Sequence, residues 1–131
     1  MNWIMIVTGA ICLQLMACSA AWAQPKLPFA PTERELLLLP EGCRAILKGG
    51  PAAATAAQQW LPGVEGKHHF CFGLNFMNRA RFTMDKTEKR FNLQSAIGEF
   101  NYPLNKSQPN VSGLEEVRGL KGAAEKMLKL L

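Results

Sequence analysis

Apolar residues that return every three or four positions dominate the second half of this 131-residue chain, and that spacing dictates helices. The clearest stripe is Leu93, Ala96, Ile97, Phe100 and Leu104, at i, i+3, i+4, i+7 and i+11. Upstream, Phe70, Gly73, Leu74, Met77 and Arg81 repeat the spacing, and Phe72, Phe76 and Ala80 add a second apolar row. A helix with so wide an apolar face is buried on more than one side. Its polar positions Asn75, Asn78 and Arg79 then mark a solvent edge. A final amphipathic helix over 113–131 carries Leu114, Val117, Leu120, Ala124, Met127, Leu128 and Leu131 on its apolar face. No useful stretch alternates apolar and polar residues as a half-buried strand does. The expected fold class is all-α.

Local signals divide the rest. Thr32-Glu33-Arg34-Glu35 reads as a capping box for a short helix through Leu36–Leu39 that Pro40 ends. A second short helix runs from about Gly42 to Lys48 with Cys43, Ile46 and Leu47, and Gly49-Gly50-Pro51 breaks it. Ala52–Trp60 has high helix propensity, and Leu61-Pro62-Gly63 stops it. Asp85-x-x-Glu88 caps the Leu93 helix, and Ser112-Gly113-Leu114-Glu115 reads as a capping box for the last one. Gly98 weakens its helix but admits a close neighbour, and Pro103 disturbs or ends the last turn. The core of this arrangement is a long helical hairpin over about 67–105.

The N-terminus reads differently. No charged side chain precedes Lys26, and the apolar run Trp3–Leu15 leads to Ala21-Trp22-Ala23. This pattern predicts a signal peptide over 1–23, cleaved after Ala23 to leave Gln24 first, although the n-region lacks Lys and Arg. Two rivals are a lipobox at Leu15-Met16-Ala17-Cys18, with a lipid on Cys18, and an uncleaved segment kept as an anchor. Residues 24–31 hold three prolines and read as a linker, leaving 32–131 as one helical domain. Export removes Cys12 and Cys18 and leaves Cys43 and Cys71, which in an oxidising compartment pair most simply as a disulfide.

Phe72-Gly73 and Phe76, followed by Ala96-Ile97-Gly98-Glu99-Phe100 and then Pro109, resemble one tetratricopeptide-type helical hairpin. The spacing from Gly73 to Ala96 is 23 residues against about 12 in that family's pattern, and His69 stands at the Trp position. The stretch from His68 to Ala80, with Phe91-Asn92-Leu93 and Glu99-Phe100, is also similar to a group of uncharacterised exported bacterial proteins. These resemblances imply a helical, exported protein and no particular reaction.

Chemistry-bearing residues are few. His68, His69 and Cys71 are the one cluster with metal-ligand character, and on a helix only His68 and Cys71 share a face. A metal site would have to recruit Cys43 and a carboxylate, which a Cys43–Cys71 disulfide forbids. No Ser/His/Asp signature, phosphate loop or paired-carboxylate motif occurs, so neither a catalytic activity nor a cofactor is expected. The net charge of +5 is modest and points to no nucleic-acid partner. Its densest basic stretch, Arg79, Arg81, Lys86, Lys89 and Arg90, is either a solvated face or a contact for anionic lipid or an acidic partner. Asn110-Val111-Ser112 matches a glycosylation sequon by accident in an export signal of bacterial type. The expectation is a protein-interaction or scaffold module of the bacterial cell envelope, periplasmic or secreted, whose partner is another envelope protein. A metal-binding or enzymatic role for His68, His69 and Cys71, or membrane attachment through Cys18, is the alternative.

Overall fold

The computed structural model describes residues 27–131. The expected cleavage residues Ala21, Ala23 and Gln24, and the candidate lipidation residue Cys18, lie outside the described residues. Six helices follow one another: α1 (Glu33–Leu37), α2 (Glu41–Lys48), α3 (Pro51–Gln59), α4 (Lys67–Phe82), α5 (Lys86–Lys106) and α6 (Leu114–Lys129). No strand occurs among the described residues.

Helices α4 and α5 form the centre. A three-residue turn joins them, and they run antiparallel, so His69 on α4 meets Glu99 on α5 and Phe70 meets Phe100. Gly73 decides how closely they approach. A Cβ there would lie 2.5–2.9 Å from the Phe100 ring, so only glycine leaves room for this aromatic to cross α4. Gly98, by contrast, is exposed and has nothing within 4 Å of a Cβ position. The close-approach glycine of the hairpin is therefore Gly73, and the expectation for Gly98 is corrected.

Helix α6 packs on the other side of α5, and its apolar face is consumed there. Leu114, Val117 and Ala124 are fully buried, with Leu120, Met127, Leu128 and Leu131 packed against the same core. The start of α6 departs from expectation. Gly113, not Ser112, is the N-cap residue, and no side-chain cap forms. Two backbone turns, Leu114 N–H to Val111 carbonyl and Glu115 N–H to Ser112 carbonyl, set the entry one residue later. Gly113 itself is wedged against Val64 and Leu61, where a Cβ would sit 2.7 Å from the Val64 side chain. Pro103 also behaves differently: α5 continues to Lys106 with the proline buried inside it.

The two other capping signals form as read. Thr32 Oγ1 accepts from Glu35 N–H while the Glu35 carboxylate accepts from Thr32 N–H. Asp85 accepts from Glu88 N–H at 2.7 Å. Each satisfies first-turn donors that a helix cannot satisfy internally.

The short helices α1–α3 lie across α4 and are held largely by single links. Cys43 on α2 is bonded to Cys71 on α4 with both residues fully buried. Trp60, at the end of α3, lies over Gly42 of α2 and meets the Phe70 ring edge-on at 5.3 Å. Lys67 donates to the carbonyl of Ala57 and so closes the C-terminal end of α3. Burial of this ammonium lowers its pKa. Helix α3 contributes no buried residue to the core. The proline-rich segment also packs over its described part: Phe29 meets Phe72 and Phe76 edge-on at 5.0 and 5.3 Å.

Candidate functional site

The antiparallel hairpin has two ends, and the structure sorts the candidate residues between them. At the end where α4 begins, His69 Nδ1 lies 2.8 Å from a Glu99 carboxylate oxygen. Its ring stacks on Tyr102, with centroids 3.8 Å apart and planes inclined by 23°. Tyr102 fits there because Gly66 has no Cβ; one would come within 2.5 Å of the phenol ring. His68 is exposed beside His69, and its pKa is lowered by burial of part of the ring and by the neighbouring imidazole, against an opposing pull from Glu99. This cluster ties α4 to α5 by a side-chain hydrogen bond and a ring stack. Cys71 is not part of it as a ligand, because its sulfur is spent in the bond to Cys43. Among the described residues no group of three or more His, Cys, Asp or Glu side chains is placed to hold a metal ion.

At the other end, where α4 gives way to α5, the expected basic surface divides. Arg81, Lys86 and Arg90 are exposed and Lys89 is partly exposed. Arg79 is not a surface residue: it is only 8% accessible. Its guanidinium holds the Glu35 carboxylate in a fork, Nε to Oε1 at 2.6 Å and Nη2 to Oε2 at 2.9 Å, and also reaches the carbonyl of Ala30 at 3.4 Å. A buried cation needs such a partner, and α1 supplies it. The hydrogen bonds from Arg79 and from Thr32 hold Glu35 down to a pKa of about 2, against the opposing effect of burial. Arg79 is thus a clamp between α1 and α4 rather than a contact for a partner.

Asn75, also placed on the solvent edge by its polarity, is 1% accessible, and its amide finds no hydrogen-bond partner among the described residues. It lies one helical turn from both Cys71 and Arg79, on the stripe of α4 that faces α1 and α2. At Asn75 and Arg79 the polar edge of α4 is therefore an internal seam, while Asn78 stays partly exposed on the open groove beside Arg79. A wide apolar helix leaves its few polar residues to meet whatever short element lies across them.

Large apolar side chains stand exposed at this same end. Phe82 is 72% and Met84 92% accessible, and Leu37 and Leu38 on the end of α1 are exposed beside the clamp. Leu27, Leu38, Phe82 and Thr83 line one open groove, with Arg79 and Glu35 lining it between them. Sequence reasoning passed over this patch. The available signal was the run Leu36–Leu39: a helix of five residues presents one face to the core, so Leu36 and Leu39 are buried and the two between them are not. Comparison with protein-family models, with curated proteins and with solved structures finds no match for this chain.

Proposed function

We propose that this chain is an exported, non-catalytic helical interaction module of the bacterial cell envelope, built on a tetratricopeptide-like hairpin. The α4–α5 turn is its contact end. The observation that carries the reading is the exposure of Phe82 and Met84 at this turn, with Leu27 and Leu38 lining the groove that Phe82 lines, in a stretch that also carries the exposed Arg81, Lys86 and Arg90. Soluble chains seldom leave large apolar side chains grouped together unless something covers them. The other apolar faces are already used: that of α6 by α5, and those of α4 by α5 and the short helices. The buried Cys43–Cys71 bond supports export, because such bonds persist in oxidising compartments.

The test is a photo-crosslinking residue placed at Met84 or, for comparison, at Lys126 on exposed α6 surface, in intact exporting cells. Adducts from position 84 and none from position 126 are expected. Adducts from position 126 alone would move the contact to α6 and end this reading. N-terminal sequencing of the purified chain checks the export step, with Gln24 expected first.

A further inference from the structure

Resting on the contact end just described, we infer that its occupant is an anionic lipid bilayer surface. Two observations converge. First, Phe82 and Met84 project from the turn into solvent, the placement of side chains that enter the boundary between headgroups and acyl chains. Second, Lys86, Lys89 and Arg90 lie at i, i+3 and i+4 on the first turns of α5, and Arg81 precedes Phe82. Four cations therefore flank the apolar tip along the chain against two carboxylates, Asp85 and Glu88, an excess of two positive charges. Both carboxylates are engaged locally, Asp85 in capping α5 and Glu88 in accepting from Thr83 Oγ1 at 2.6 Å.

Charge selects among occupants. A second copy seated tip to tip would bring the same four cations against one another at short range, a repulsive arrangement. An anionic headgroup layer instead attracts each of them, and it accepts the apolar side chains just beneath. Cations flanking a few apolar side chains need no deep pocket, which suits an open groove.

Sedimentation of the purified chain with phosphatidylglycerol–phosphatidylethanolamine vesicles, and with phosphatidylcholine vesicles, tests the inference. Partition onto the anionic vesicles is expected, weakening several-fold as salt rises to about 0.5 M. The variant K86Q/R90Q should bind roughly 25-fold more weakly, about fivefold for each cation removed. F82D/M84D should lose at least about tenfold, and K126Q/K129Q on α6 should match the parent. All compared chains carry the same N-terminus, so its own affinity cancels. Phe82 and Met84 are exposed, and an unchanged circular dichroism spectrum of their variant confirms the fold. Equal binding to both lipid mixtures, or binding that ignores the tip variants, overturns the inference. If vesicles fail while position 84 still crosslinks to an envelope protein, or to a second copy, the lipid occupant falls and the contact end stands. If crosslinking at position 84 fails as well, both fall.

Discussion

The stack α4–α5–α6 is held together in a different way from the attachment of α1, α2 and α3 to it. The first group meets along continuous apolar stripes: Phe70, Phe76, Met77, Leu93, Ala96, Phe100, Leu114 and Val117 are all buried at or near full closure. The second group buries Leu36, Leu39 and Cys43 and relies on point links: one disulfide, one ion pair, one lysine on a helix end and one tryptophan over a glycine. Helix length explains the difference. A helix of 16 or 21 residues offers four or more turns of apolar face. One of 5, 8 or 9 residues offers one to two and a half, too little burial to offset the entropy of ordering it. Short elements stay in place when a few strong contacts replace the missing area.

Breaking the apolar side should be costliest. Phe100→Ala removes the ring that fills the space above Gly73 and meets Phe70, and a loss of about 3–5 kcal/mol in urea unfolding is expected. A loss below about 1 kcal/mol would mean that the stripe is not what holds the hairpin. Cutting the covalent link comes next. Cys43→Ser with Cys71→Ser opens a loop with a sequence separation of 28 and should cost about 3–4 kcal/mol. Hydrogen exchange should then show protection lost in α1–α3 first, with α4–α6 retained. Uniform loss across all six helices would erase the distinction drawn above.

The ion pair gives a smaller, pH-dependent effect. Glu35 has a lowered folded-state pKa of about 2, so its contribution is fully present above the ordinary carboxylate value of about 4.5. That contribution disappears as pH falls from about 4.5 to 2, and is worth on the order of 2 kcal/mol once partial exposure of the carboxylate is allowed for. Thermal melts of the parent across that window should fall more steeply than those of Glu35→Gln; parallel slopes would remove the clamp from the account. Gly98 and Gly73, one on each helix of the hairpin, supply the smallest and sharpest contrast. Gly98→Ala fills open space on a helix and should add about 0.5–1 kcal/mol. Gly73→Ala meets the Phe100 ring and should destabilise by about 1–3 kcal/mol.

Which parts were legible follows from the range of the forces involved. The helices from 67 onward could be read by their apolar faces, because a 3.6-residue period is written along one segment, but the charged stretch 86–90, which reads as a turn, forms the first turn of α5. The Thr32 and Asp85 caps were equally local, closing within three residues. Ser112 failed because its turn answers to Val64 and Leu61, about fifty residues away in the chain. Arg79 failed for the same reason on a larger scale. Polarity alone sends an arginine to solvent, and the carboxylate that draws it inward lies 44 residues upstream. The basic tip was visible as a charge run, but its apolar centre was not, since exposure of Phe82 and Met84 depends on what the neighbouring helices leave uncovered.

By itself the sequence pointed to an all-helical fold for the described residues and to the order of its elements, because periodicity and caps act within a segment, whereas it offered the Cys43–Cys71 pair only on the expectation that export removes Cys12 and Cys18. Only the tertiary structure decided that Gly73 and not Gly98 receives a neighbour, that Arg79 is an internal clamp, and which end of the hairpin keeps bare apolar side chains. Those outcomes depend on distances between residues far apart in the chain, and the energy of a contact exists only once the fold has brought its two sides together.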